Sequence, residues 1–245
     1  MSVDRSNPDA RMRLIEATIR LLAKNGPGEV KARSVTSEAG VSTMGVYTHF
    51  GGVPELLRAV ADEGLQRLVA AFEQVPITDD PFADLCALSL ACRGVARSNP
   101  HLYDLMFGLS IHGRYGPSWG PASQASSEHS PAFKVAYTHL VGACTRMVDA
   151  KCVRKTEPSL IAMQLWSAVH GFVMLELAGH FSEVADPPSE ILVPLCSNVV
   201  IGLGAVREKV EASTAAVLTN WAGSSGAPVE VLSAQKSRKR KGVKA

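Results

Sequence analysis

A chain of 245 residues, 46% of them hydrophobic, is long enough to bury a sizeable core unaided, or a small domain joined to a larger one. Its 25 Lys and Arg against 23 Asp and Glu leave a net charge of +2, which excludes an electrostatic argument for a nucleic-acid or membrane surface made from the whole chain. No charged leader runs into an apolar stretch at the start, and the apolar stretches are broken by charge, His or Gly before the ~20 residues a bilayer needs. A soluble, cytoplasmic protein with no membrane partner is therefore expected.

In chain order, Pro8 to Asn25 puts Leu14, Ala17, Leu21 and Leu22 on one stripe and ends at Asn25-Gly26-Pro27-Gly28, an amphipathic helix stopped by a turn. A short helix follows at about Arg33 to Ala39, then a turn at Gly40, then a second short helix from Ser42 to His49. After Phe50-Gly51-Gly52 a longer helix begins near Val53 and stops before Pro76, with Pro54 acceptable in its first turn. Helices are predicted at about 81–98, 100–109, 131–154, 157–182 and 188–212. No stretch has sustained strand alternation, so the fold class is all-α. Gly113 to Ser130 reads as a long loop. From Gly223 the chain reads as a basic tail without a fold, carrying Lys236, Arg238, Lys239, Arg240, Lys241 and Lys244 and no acidic residue after Gln235. The domains expected are 1–52, 53–222 and a tail over 223–245.

Catalytic and metal chemistry find no support. The histidines make no H-E-x-x-H, no His/Cys group has zinc spacing, and no nucleophile elbow or phosphate loop occurs. Five cysteines, an odd number in apolar helical contexts, fit buried reduced thiols. A non-enzyme without cofactor or metal is expected.

The segment "SVTSEAGVSTMGVYTHF" carries a positive signal. A glycine between two short helices can take the left-handed conformation that ends the first and lets the second leave steeply, which is a helix-turn-helix. Val35, Ala39, Val41 and Val46 fall on the inward side, and Ser42 is placed to cap the second helix through its hydroxyl. The remaining face, Thr43, Met44, Gly45, Tyr47, Thr48 and His49, is short, polar or aromatic, as suits a helix lying in a major groove.

"RSVTSEAGVSTMGVYTHFGGVPELL" resembles the DNA-binding signature of the tetracycline-repressor (TetR-like) family, over about the first 60 residues. "NPHLYDLMFG" and "LWSAVHGFVMLELAGHF" further resemble a subgroup with a Trp and then His-Gly on one helix, here Trp166, His170 and Gly171. The resemblance implies a three-helix N-terminal helix-turn-helix domain followed by a larger helical ligand-binding and dimerisation domain. It places Arg33 at a base or phosphate, Thr43, Met44 and Gly45 at the base-reading end of the recognition helix, and Tyr47 and His49 at phosphates. The sequence departs from the family at Lys31, where Thr or Ser usually caps, and at Val53, where Lys is usual. Lys31 then offers a replacement phosphate contact.

The implied partners are a double-stranded palindromic operator, a second copy of the chain and a small hydrophobic effector. Gly171, Ala178, Gly179, Gly202, Gly204 and Ala205 would let the last two helices approach those of a second copy closely. The candidate pocket lining is Tyr103, Met106, Phe107, His112, Trp119, Met163, Trp166, His170 and Met174. Two other readings stay open at this point: a small-molecule-binding protein with a weak DNA-binding head, and a DNA-binding regulator with no effector.

Overall fold

The computed structural model describes residues 8–107 and 130–223. Among these residues the chain forms ten α-helices and no strand. The calls on His112 and Trp119, most of the 113–130 loop and the basic tail beyond Gly223 lie outside the described residues.

Helices α1 (Pro8–Asn25), α2 (Ala32–Ala39) and α3 (Gly45–Phe50) pack on one another and on the first turns of α4 (Val53–Glu73). Leu14, Leu22, Val35, Val46, Leu56 and Val60 have no exposed surface and form the core of this head. Helix α4 is long enough to serve two cores, because its later residues Leu65, Leu68 and Phe72 are buried among the helices that follow.

Helix α5 (Pro81–Ser98) is the axis of the body. It begins where Asp80 Oδ1 accepts from the backbone N–H of Phe82 (3.0 Å) and Ala83 (3.1 Å), satisfying amides that a helix start leaves unpaired. Twelve of its eighteen residues are buried, so each charge it carries inward needs a partner. It touches α4, α6 (Pro100–Phe107), α7 (Pro131–Asp149), α8 (Pro158–Leu177), α9 (Val193–Gly202) and α10 (Arg207–Gly223). Buried Arg93 grips Glu176 of α8 through Nε (2.9 Å) and Nη2 (2.6 Å). Buried Asp84 accepts from Arg146 of α7 (2.6 Å) and from the backbone and hydroxyl of Thr78.

Several predicted boundaries move, each for a local reason. The second helix of the turn starts at Gly45, not Ser42. Residues 43 and 44 form a turn in which the Ser42 carbonyl, not its hydroxyl, accepts the Gly45 N–H (2.8 Å), so Ser42 is not a side-chain cap. Helix α7 ends at Asp149, where Lys151 adopts φ 55°. Helix α8 ends at Leu177, with Gly179 at φ 84° and His180 N–H returning to the Leu175 carbonyl. The predicted 188–212 helix is a π turn (Pro188–Leu192) and two α-helices, broken at Gly204 (φ 99°). Gly179 and Gly204 therefore act as helix terminators.

By length and composition α8 is apolar enough to cross a membrane, contrary to the sequence expectation that no stretch is. Its inner residues Ile161, Ala162, Leu165, Val169 and Val173 are buried against the other body helices, the position of a core helix.

Candidate functional site

Two surfaces hold the predicted site residues. The first is the outer side of α2 and α3. Gly40 adopts φ 63°, ψ 39° and its N–H bonds the carbonyls of Ser37 and Thr36, closing α2 and turning the chain into α3. Val35 and Val46 anchor the two helices with no exposed surface, and Val41 is half-buried. Arg20 on α1 bonds Glu38 on α2 at 2.8 Å, and the Arg11 guanidinium lies over the Phe50 ring, so both short helices are tied to α1.

The outward residues are Arg33, Ser42, Thr43, Met44 and Tyr47, all exposed, with Met44 at 61% and Tyr47 at 53%. Thr48 and His49 are half-buried. The Arg33 side chain has no hydrogen bond or ion pair among the described residues, and Lys31 has only a long 3.8 Å approach to Glu29. A free guanidinium, a thioether and a phenol on one short helical pair can donate to, stack on or cover a nucleic-acid surface. Gly45 does not belong to that surface: it is buried, and an added Cβ would meet Val41 Cγ2 at 3.0 Å and Leu14 Cδ1 at 3.7 Å. Its smallness lets α3 lie close to α1.

The second surface is internal. Tyr103 and Phe107 of α6 meet Trp166 and His170 of α8 at one point. Tyr103 and His170 are joined by a 2.6 Å hydrogen bond between the phenol oxygen and Nδ1. The Trp166 ring stacks on His170 at 4.4 Å, and Phe107 meets it edge-on at 4.4 Å. Phe133 and Tyr137 of α7 close on Trp166 at 5.4 and 5.7 Å. Burial pushes the His170 imidazole down to about 4 and the Tyr103 phenol well above its ordinary range, so both are neutral near pH 7.

Beside this cluster lies a cavity of about 30 Å³, lined by residues that include Phe72, Leu88, Ser89, Cys92, Trp166 and His170. Burial also pushes the thiols of Cys86, Cys92 and Cys144 up to about 12 and that of Cys196 to about 11. Those four are buried and chemically quiet, while Cys152 alone is half-exposed.

Not every predicted lining residue is there. Met106 is buried and packs toward α4, where an added Cβ on Gly64 would sit 2.7 Å from its sulfur; with Tyr103 it lines a separate groove of about 550 Å³ between α1, α4, α5 and α6. Met163 and Met174 are 55% and 43% exposed, on an outer stripe of α8 with Leu160 and Leu175. Periodicity cannot sort these residues, because α8 is apolar on all sides. Phe133, Tyr137 and Asn99 were not anticipated. Of these, Asn99 carried a readable signal, a helix-starting Asn-Pro that holds the start of α6. Its Oδ1 accepts from Leu102 N–H (3.0 Å), and its Nδ2 donates to the Ile19 carbonyl of α1 (3.2 Å).

Comparison with known proteins identifies both parts of the chain. Residues 14–60 match the N-terminal domain described as bacterial regulatory proteins, tetR family, and residues 85–195 match a tetracyclin repressor-like C-terminal domain. Over 199 residues the chain is 37% identical to the HTH-type nicotine-responsive transcriptional repressor HdnoR of Paenarthrobacter nicotinovorans, covering 80% of this chain and 94% of that one. A Rhodococcus sp. RHA1 protein of unknown function superposes with a TM-score of 0.65 at 25% identity, over 82% of this chain and 99% of that chain. The fatty acid degradation regulator FadR of Bacillus halodurans gives 0.62 at 14% identity, over 82% and 99%, a likeness of fold.

Proposed function

Because the chain belongs to the TetR family and is thus a ligand-responsive DNA-binding regulator, we propose that it is a cytoplasmic, homodimeric repressor that leaves a palindromic operator when a small apolar molecule enters the body. The observation that carries this reading is the double role of α6. Its Tyr103 and Phe107 form one wall of the aromatic cluster, while Asn99, Leu102 and Met106 press on α1 and α4 of the head.

The cavity holds about two waters, on the measure that gives one water ~10–15 Å³. Any larger occupant must therefore move its walls. A shift of α6 is passed to α1 through the Asn99–Ile19 bond and to α4 through the tight Met106–Gly64 contact. The effector then weakens DNA binding by the ratio of its affinities for the two arrangements.

Dimerisation is supported by Leu160, Met163, Met174 and Leu175, an exposed apolar stripe on α8 flanked by exposed Leu195 of α9. A second copy bound there would set two α3 helices at a fixed spacing, as paired half-sites need. In this reading Arg33, Thr43 and Met44 read bases, Tyr47, His49 and Lys31 hold phosphates, and the head extends to about residue 52. The relative's response to nicotine is a starting point for effector screening. The small cavity also fits a regulator with no effector.

The test is fluorescence anisotropy of the full chain with DNA flanking its gene, at two salt concentrations, against unrelated competitor DNA and with candidate compounds added. Competitor-resistant binding that one compound reverses is the expected result. Binding abolished by competitor and salt alike overturns the reading, and binding that no compound changes favours the regulator without an effector.

A further inference from the structure

We infer that the cavity beside Trp166 takes an uncharged, mainly apolar ring compound with one hydrogen-bond acceptor, docked on the Nε2–H of His170. The inference rests on the effector reading above and narrows it to a chemical class.

None of the ten residues lining the cavity is Asp, Glu, Lys or Arg. Its polar side chains are Ser89, Cys92, Trp166 and His170, and the hydroxyl and the thiol are spent. The Ser89 hydroxyl donates to the Leu85 carbonyl (2.9 Å), and the Cys92 thiol sits 3.9 Å from the Tyr103 oxygen. The Tyr103 phenol has two acceptors in reach, imidazole Nδ1 at 2.6 Å and a thiol sulfur at 3.9 Å, and the nearer nitrogen is much the stronger. With the phenol proton directed to Nδ1, the ring proton of the neutral imidazole sits on Nε2. Among the described residues Nε2 has no hydrogen-bond partner, so it is a donor open to an occupant of the cavity.

Charge is disfavoured by magnitude. Rings around Trp166 could hold a cation, which when desolvated gains ~2 kcal/mol, but an unpaired buried ion costs several times that. The nearby carboxylates are taken, Asp84 by Arg146 and Glu176 by Arg93. Room for a ring lies outward: Phe72 and Leu88 also line an outer groove of about 300 Å³ between α4, α5 and α7, so moving these two side chains joins the spaces. Arg146 lies in that groove with a buried Nε that lacks a partner, which makes an anionic probe a necessary control.

The experiment is calorimetric titration of the full-length protein with four compounds of similar shape: acetophenone, ethylbenzene, protonated 1-phenylethylamine and benzoate. Acetophenone should bind about 5- to 10-fold more tightly than ethylbenzene, the worth of one neutral hydrogen bond, and both ions more weakly than either. His170→Phe should erase the preference for acetophenone while keeping ethylbenzene binding. Tyr103→Phe, which frees the tautomer but keeps the imidazole, should shrink it. Tightest binding by the amine or by benzoate, or a ketone preference that survives both substitutions, overturns the chemical class and leaves the effector reading standing. If none of the four binds to protein that still holds its operator, the chemical class is overturned, while the effector reading stands or falls with the operator-release experiment.

Discussion

The α2–α3 pair and α8, which carry the two halves of the proposed function, are built on opposite terms. The short pair keeps Val35 and Val46 inside and turns Arg33, Met44 and Tyr47 outward, so its working face shows as a break in an apolar pattern. Helix α8 is apolar on every side: one flank carries His170 into the body and another exposes Leu160, Met163 and Met174. A working surface made of polar residues stands out from the rest of a helix. One made of apolar residues is indistinguishable from core until a partner is seen against it.

That contrast predicts where damage goes. Glu176→Ala leaves Arg93 buried without its partner and should destabilise the fold by ~3–5 kcal/mol in thermal or urea unfolding, with no direct change at the outer face of α2 and α3. Acid should reach α8 next. The folded-state value of His170, about 4, lies below its ordinary 6.5, so the unfolded chain binds the proton more readily. Its contribution is complete above about pH 6.5 and lost as pH falls toward 4, amounting to ~3 kcal/mol. Urea midpoints between pH 7 and 4 should show this slope in the parent and lose it in His170→Phe.

On the other side of the comparison, Arg33→Ala should cost ~1–3 kcal/mol of discrimination between operator and base-substituted sites while leaving Tm unchanged. Equal discrimination by variant and parent would remove Arg33 from the base readers. Gly40→Ala, at φ 63° with no atom near the new Cβ, should cost ~1–2 kcal/mol of stability through backbone strain alone. A loss much larger than that would mean the head tolerates less strain than its small core suggests.

The head was legible in detail because local rules decide it. Gly40 closes one helix, Val35, Ala39 and Val46 face inward, and the polar remainder is left for solvent or DNA. The exceptions were Ser42, where a turn of backbone hydrogen bonds does the work assigned to a hydroxyl, and Gly45, which lies buried against Val41 and Leu14 instead of on the outer face. In the body the helices were legible but their ends and faces less so. Gly179 and Gly204 end helices, because a glycine late in an apolar run is also a stop signal. The Tyr103–His170 and Arg93–Glu176 pairs join residues 67 and 83 positions apart, and no periodicity encodes such a meeting. Charged residues placed on apolar helices, Arg93 and Glu176 among them, were the available hint that partners wait across the core.

The unequal burial of the cysteines has a practical consequence. With four thiols shut in the core and Cys152 half-exposed at the turn between α7 and α8, a maleimide dye should attach at one position per chain without mutagenesis. In a two-chain assembly those dyes would form a symmetric pair. Energy transfer between them would then report, in the native sequence, whether the body changes its spacing when operator or effector is added.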